Sequence, residues 1–353
     1  MTHSITLSPS ELEQYLATRF ASSEPANILI TGDRGLGKTS IVKQAAKKAG
    51  YDFLGKHGVT MNPTHMQGLG FKASDSHAEF LPYGFANAML TATRPLIVDF
   101  EDLGQAAQSV QAAIMEVILE YTIDGKPISP FVKFLATTNE RGQYAGVQGI
   151  LSPVRGRFTI LKLRADLDDS RLWFVKNGMP DEMVAYLGWR GVDALCEESK
   201  DDMTNAPNPR NWHEAGREWL ATKGLNDNIR RAAIAGRVGI ARADEFIAFA
   251  NMWLSMPSID AIFANPQGAP IDASRMDVLH ATIVGLASRI KTDNQLIAVT
   301  TYCERMLDAQ VSRELVALVP RIATIKTPEI VNTSAYVAMS AGRVGRECIQ
   351  GKF

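Results

Sequence analysis

A mostly parallel β-sheet covered by helices, followed by an all-helical half, is the fold class that this 353-residue sequence predicts. Three observations carry it. Short apolar runs of strand length alternate with helical periodicities up to about residue 164, which is the pattern of βαβ units. A glycine-rich turn joins the first of those runs to the next helix. Beyond Arg164 the strand signal fades, and amphipathic helical stretches remain.

The first helix is announced by Ser8-Pro9-Ser10-Glu11: an N-cap serine, a proline at the first helical position and a glutamate three residues after the cap. Leu12, Tyr15, Leu16 and Phe20 follow at helical spacing. Residues 27–31 (NILIT) read as a short buried strand, and residues 39–49 as a helix that Gly50 stops. Leu96-Ile97-Val98 with Phe100, then residues 131–137 and 159–163, are three further strands. A helix over about 105–120 separates the first two of these. In the second half, residues 245–256 place Phe246, Phe249, Ala250, Trp253 and Leu254 on one face, with Pro257 as the stop. Residues 276–290, 295–307 and 312–325 are further amphipathic helices, and residues 265–270 form a loop. The expected domains are an α/β unit over 1–164 and a helical unit over 165–353.

Composition narrows the function classes. With 46% hydrophobic and 21% charged residues the chain has a globular balance. A formal charge of -1 gives no support to nucleic acid or an anionic membrane as the main partner. Cys196, Cys303 and Cys348 are far apart and fit no zinc or redox spacing, so they read as reduced, mostly buried thiols. No signal-peptide pattern opens the sequence, and no apolar run approaches ~18 residues. The expectation is a cytoplasmic protein without a membrane span.

The chemistry starts at Gly32-Asp33-Arg34-Gly35-Leu36-Gly37-Lys38-Thr39-Ser40, a G-x-x-x-x-G-K-[ST] pattern between a strand and a helix. Glycines let backbone N–H groups turn inward around phosphate oxygens. Lys38 is a point charge for the β and γ phosphates of ATP, and Thr39 offers a hydroxyl to Mg²⁺. The helix aims its positive end at the same anion. Acidic residues should then close a later strand, and Val98-Asp99-Phe100-Glu101-Asp102 supplies three. Either Asp99 is the metal-side acid, or Glu101 binds metal and Asp102 polarises water; spacing alone leaves both registers open. Asn139, just past the next strand, is suited to orienting water or sensing the γ phosphate. Arg155 and Arg157 precede the last strand, where an arginine can reach a neighbouring subunit's phosphate. Arg210 follows a proline-fixed turn, Asn208-Pro209, and is suited to a phosphate in the cleft between the domains.

In this order the motifs resemble the AAA+ superfamily, and within it the MoxR-like ATPases. GDRGLGKTS, EDLGQAAQSVQAAIMEVILE, FLATTNERGQYAGVQGILSPVRGRF and NPRNWHEAG carry the resemblance, which is strong to about residue 220 and weaker beyond. It implies an AAA+ P-loop domain, a helical lid and a C-terminal helical extension. It implies ATP and Mg²⁺ as cofactors, Walker A contacts through Lys38 and Thr39, and Asn139 as first sensor. Arg157 becomes the arginine finger, with Arg155 as substitute, and Arg210 the second sensor. The family's acidic pair directly precedes a run like Leu103-Gly104-Gln105-Ala106, which favours Glu101 and Asp102; that order departs from the usual Asp-Glu or Asp-Asp. The resemblance also implies a hexameric ring with ATP between subunits, a protein client, often a partner with a von Willebrand A-type domain, and a chaperone-like role.

Residues 60–85, with Met61, His65, Met66, Phe71, Phe80 and Tyr83, admit two readings: an inserted partner-contact segment, or a partly buried hairpin or helix. No histidine spacing suggests a metalloenzyme, and the five tryptophans read as packing residues. Three functions compete: a ring ATPase that remodels a protein partner, a nucleotide-gated scaffold with little hydrolysis, and a DNA-acting motor or loader.

Overall fold

The computed structural model describes residues 5–140, 149–197, 204–254 and 259–350. Met256 and Pro257 lie outside the described residues, as do residues 141–148 and the side chains of Leu254 and Cys348. The chain divides into two compact units, Met1–Ala165 and Asp166–Phe353.

In the first unit, helix α1 (Pro9–Ala21) starts from the capping box that the sequence spells. Ser8 Oγ accepts from Glu11 N at 3.3 Å, and Ser8 N donates to Glu11 Oε2 at 2.7 Å. Leu12, Leu16 and Phe20 are its buried stripe. The sheet has five parallel strands: β1 (Asn27–Thr31), β2 (Asp52–His57), β3 (Leu96–Glu101), β4 (Val132–Thr138) and β5 (Thr159–Lys162). They lie in the order β2-β3-β4-β1-β5. Helix α2 (Lys38–Lys48) follows β1, and α3 (Gln108–Glu120) links β3 to β4. On one face Val98, Phe100, Phe134 and Ala136 pack with Ile114, Val117 and Ile118 of α3; the rings of Phe100 and Phe134 stack at 5.9 Å. Lys133 points out of β4 and is 7% exposed; its Nζ donates to the carbonyls of Arg19, Phe20 and Ser22, closing the carboxyl end of α1.

Four of the five strands fall where the apolar runs predict. The fifth, β2, is absent from the sequence reading. It is an edge strand with a half-buried interior and carries Gly55 and Lys56, so neither a continuous apolar run nor strict alternation marks it. The helix expected over 105–120 opens as a short 3₁₀ turn, Leu103–Gln105, and becomes α-helical at Gln108.

Residues 60–85 divide between the two readings. Met61 and Met66 sit in the core, while the antiparallel hairpin of Leu69–Ser74 and His77–Leu81 is exposed along both strands. Leu69, Phe71, Phe80 and Leu81 stand in solvent on it.

The second unit is helical throughout its described residues. Tyr186, Trp212 and Phe246 are fully buried and, with Trp189, Trp219 and Phe249, form one aromatic cluster. Trp212 Nε1 donates to Ala194 O at 2.8 Å, and Tyr186 Oη donates to Glu245 Oε2 at 2.7 Å. The predicted helices appear as Ile240–Leu254, Met276–Ser288, Asp293–Asp308 and Arg313–Lys326. The predicted loop after Asn265 is held by Arg305 Nη1, which donates to the carbonyls of Pro266 and Ala269. Among the described residues, no helix is long and apolar enough to cross a membrane.

Candidate functional site

The site lies at the carboxyl ends of β1, β3 and β4. Because β1 sits between β4 and β5, the loop after β1 opens beside Asn139, which directly follows β4. In that loop Gly35 and Gly37 take φ of 76° and 84°, a region closed to most side chains. Gly37 is also the N-cap of α2 and has no side chain with which to cap it. An N-terminal helix end behind a glycine turn is a ready anion site, and it fits a nucleotide phosphate. Thr39 and Ser40 stand in the first turn, half-buried and exposed. Asp33 and Arg34, at the loop's outer edge, are exposed, whereas Leu36 is buried.

Lys38 is only 7% exposed. Its Nζ donates to Gly32 O at 2.8 Å, Asp33 O at 2.8 Å and Asn139 Oδ1 at 2.9 Å. Asn139 Nδ2 donates in turn to Asp102 Oδ1 at 3.4 Å. The P-loop lysine, the asparagine and the second acid of the pair are therefore one connected set, although they are 101 and 37 residues apart in the chain.

Asp99 lies inside β3, fully buried, with neither carboxylate oxygen hydrogen-bonded. Burial first, and then the negative charge of Glu101, push its carboxyl up to about 8, so it is neutral at pH 7. Glu101 ends the strand, 7% exposed, and Asp102 follows it with φ 53° and ψ 41°. A left-handed non-glycine residue costs on the order of 1 kcal/mol, which aspartate tolerates better than most. That turn sends the Asp102 side chain toward Asn139. Gly104 N donates to Thr138 Oγ1 at 3.1 Å and ties the turn to β4.

His57 escaped the sequence reading. It closes β2 directly opposite Glu101 in the parallel register. Its Nε2 is 3.1 Å from Glu101 Oε2 and its Nδ1 3.7 Å from Asp102 Oδ2. Lys43 of α2 approaches Glu101 Oε1 at 3.7 Å. Only the unpredicted strand reveals His57; the one signal available was an otherwise unexplained polar residue a few positions beyond the P-loop helix.

Arg155 ends a short helix, Ser152–Arg155, and Arg157 precedes buried Phe158; both guanidinium-bearing residues are exposed. Arg210 belongs to the second unit, exposed in the first turn of the helix Pro209–Ala221, whose N-cap Asn208 accepts from Asn211 N. The described structure thus connects Lys38, Asn139, Asp102 and Glu101, and leaves the three arginines at the surface of their own units. Among the described residues no cluster of His, Cys, Asp and Glu forms a ready-made metal cage.

A five-stranded parallel sheet of order β2-β3-β4-β1-β5, a glycine-rich loop after β1 and, among the described residues, an all-helical second unit stand together here. This is the AAA+ architecture. No family model matches the sequence, and no curated protein matches it either. Similar solved structures include NtrX from Brucella abortus (13% identity, TM-score 0.42, covering 99% of this chain and 69% of that one). The same protein in complex with ADP covers 90% and 68%, at 13% identity and TM-score 0.41. The RuvB Holliday junction branch migration motor of Thermotoga maritima has 14% identity and TM-score 0.38, covering 81% and 88%.

Proposed function

We propose that this chain binds Mg-ATP in the loop from Gly32 to Ser40 and hydrolyses it, as an AAA+ ATPase that works in a ring to remodel or activate a protein partner. The observation that carries the reading is the hydrogen-bonded set Lys38–Asn139–Asp102 beside the glycine-capped amino end of α2. Backbone N–H groups and Lys38 would hold the phosphates; Thr39 and Glu101 would hold Mg²⁺, which supplies charge neutralisation on the phosphates when bound. Asp102 orients the attacking water and accepts its proton. Asn139 fixes Asp102 relative to Lys38. Arg157, with Arg155 as substitute, would act on the site of a neighbouring subunit, and Arg210 would add a second sensing charge. A MoxR-like identity, a hexamer and a von Willebrand A-domain partner belong to the same proposal and rest on the motif order.

One observation favours slower chemistry. Both acids are already engaged, Glu101 by His57 and Lys43 and Asp102 by Asn139 and His57. A nucleotide-gated scaffold with little hydrolysis is therefore the second reading.

The deciding experiment pairs equilibrium nucleotide binding with phosphate release. Lys38→Ala should lose nucleotide binding, and Asp102→Asn should keep it while turnover falls about 10²-fold or more. Wild-type turnover no faster than that of Asp102→Asn selects the scaffold. Retained binding in Lys38→Ala rejects the site itself. Since one similar structure is a DNA motor, a DNA titration of the ATPase at two salt concentrations serves as the control; salt-sensitive stimulation would move the partner from protein to DNA.

A further inference from the structure

Beneath α2, one face of the β2–β3 pair presents Phe53, Gly55 and His57 next to Ile97, Asp99 and Glu101, because residues alternate across a strand and Gly55 pairs with Asp99. Glu101 lies across this face instead of projecting straight off its own strand. A Cβ built on Gly55 would stand 2.2 Å from Glu101 Oε1 and 2.8 Å from the Phe53 ring. The carboxylate thus occupies space that exists only because residue 55 has no side chain. Its other walls are His57, 3.1 Å from Oε2, and Lys43, 3.7 Å from Oε1 and itself 4.9 Å over the Phe53 ring.

We propose that Gly55 is a positioning residue for the metal-side acid: the gap it leaves in β2 is the slot that sets where the Glu101 carboxylate stands. The proposal rests on the reading of Glu101 as the acid that holds Mg²⁺. Three features set the slot apart from an incidental glycine. The backbone at Gly55 is ordinary extended strand, with no left-handed φ that would demand glycine for its own sake. The residue opposes a buried carboxyl in the register, where a β-branched residue would otherwise pack well. The atoms that a methyl group would displace are the Glu101 carboxylate, the nearest, and the edge of the Phe53 ring; both are side-chain ends and neither is backbone, so substitution moves the acid and leaves the sheet's backbone in place.

Gly55→Ala is the test, read in two ways. Crystal structures of wild type and variant without nucleotide report the carboxylate position directly; a displacement above about 1 Å is expected, with the sheet unchanged. Mn²⁺ binding to the ADP complex, followed by electron paramagnetic resonance, should weaken about five- to tenfold, which is roughly 1 kcal/mol. ADP binding in EDTA should stay within about twofold of wild type, because Lys38 and the loop are untouched. Glu101→Asp in the Gly55→Ala background withdraws the carboxylate from the added methyl and should recover part of the Mn²⁺ affinity. An undisplaced carboxylate, or unchanged Mn²⁺ affinity despite displacement, overturns the slot. A wild-type chain that binds no nucleotide instead overturns the functional reading, an outcome the wild-type control identifies before any variant is compared.

Discussion

Asn139 joins Lys38 to Asp102, and that position makes it the most informative single residue of the site. Its amide carries both a donor and an acceptor, so it can accept from an ammonium and donate to a carboxylate at once. Asn139→Ala should lower phosphate release about 10²-fold while changing nucleotide affinity less than about threefold. Asn139→Asp places a carboxylate against Asp102 and should be slower still; equal rates for the two variants would show that the amide only fills space. Lys38 and Asn139 could be singled out as candidates because each lies just past a recognisable strand. The register of the acids could not be, since Asp99 and Glu101 have the same chemistry two residues apart. Both are buried, and their surroundings separate them: Asp99 lies inside β3 with neither oxygen hydrogen-bonded, and Glu101 ends the strand beside His57 and Lys43.

At the scale of elements, local signals and tertiary context contributed unequally. Helix α1 needed only its cap, and Ser8→Ala should cost about 1 kcal/mol in chemical denaturation, since it leaves the amide of Glu11 without its acceptor. Strand β2 needed its neighbour. Its residues have weak strand preference, and it is held by pairing along β3. The hairpin of Leu69–Ser74 and His77–Leu81 is the opposite case: it forms locally and buries little of its own surface. Replacing residues 70–80 by a two-glycine turn should therefore shift the melting temperature by less than about 4 °C. A larger drop in a thermal melt would mean that the hairpin is part of the core of its unit.

At the scale of the molecule, the two units raise separate stability questions. In the helical unit His280 has a buried Nδ1 with no hydrogen-bond partner, and burial, with the Arg171 charge second, holds its imidazole down at about 3. Between about pH 6.5 and about pH 3 the unfolded chain binds a proton that the native state refuses. Stability is thus fully present above pH 6.5 and falls as the pH drops toward 3. The slope is at most about 1.4 kcal/mol per pH unit, and His280→Gln should flatten it in denaturant titrations at pH 7.5 and pH 5. In the α/β unit, exposed Arg157 is the candidate for action between subunits. Mixing Arg157→Ala chains with Lys38→Ala chains should restore some phosphate release, because each supplies what the other lacks; a mixture as inactive as either variant would place Arg157 outside its neighbour's site.

By itself the sequence determined the glycine-rich loop after the first strand, the alternation that makes a parallel sheet, and the change to helices in the second half. Those features are written in neighbouring residues, through glycine conformations, apolar periodicity and caps. Only the tertiary structure decided that Asp99 is sealed inside its strand while Glu101 stands at the strand's end, that β2 exists, and that His57 and Gly55 surround Glu101. Parallel pairing brings together residues more than forty positions apart in the chain, and no local pattern records which of them will be neighbours.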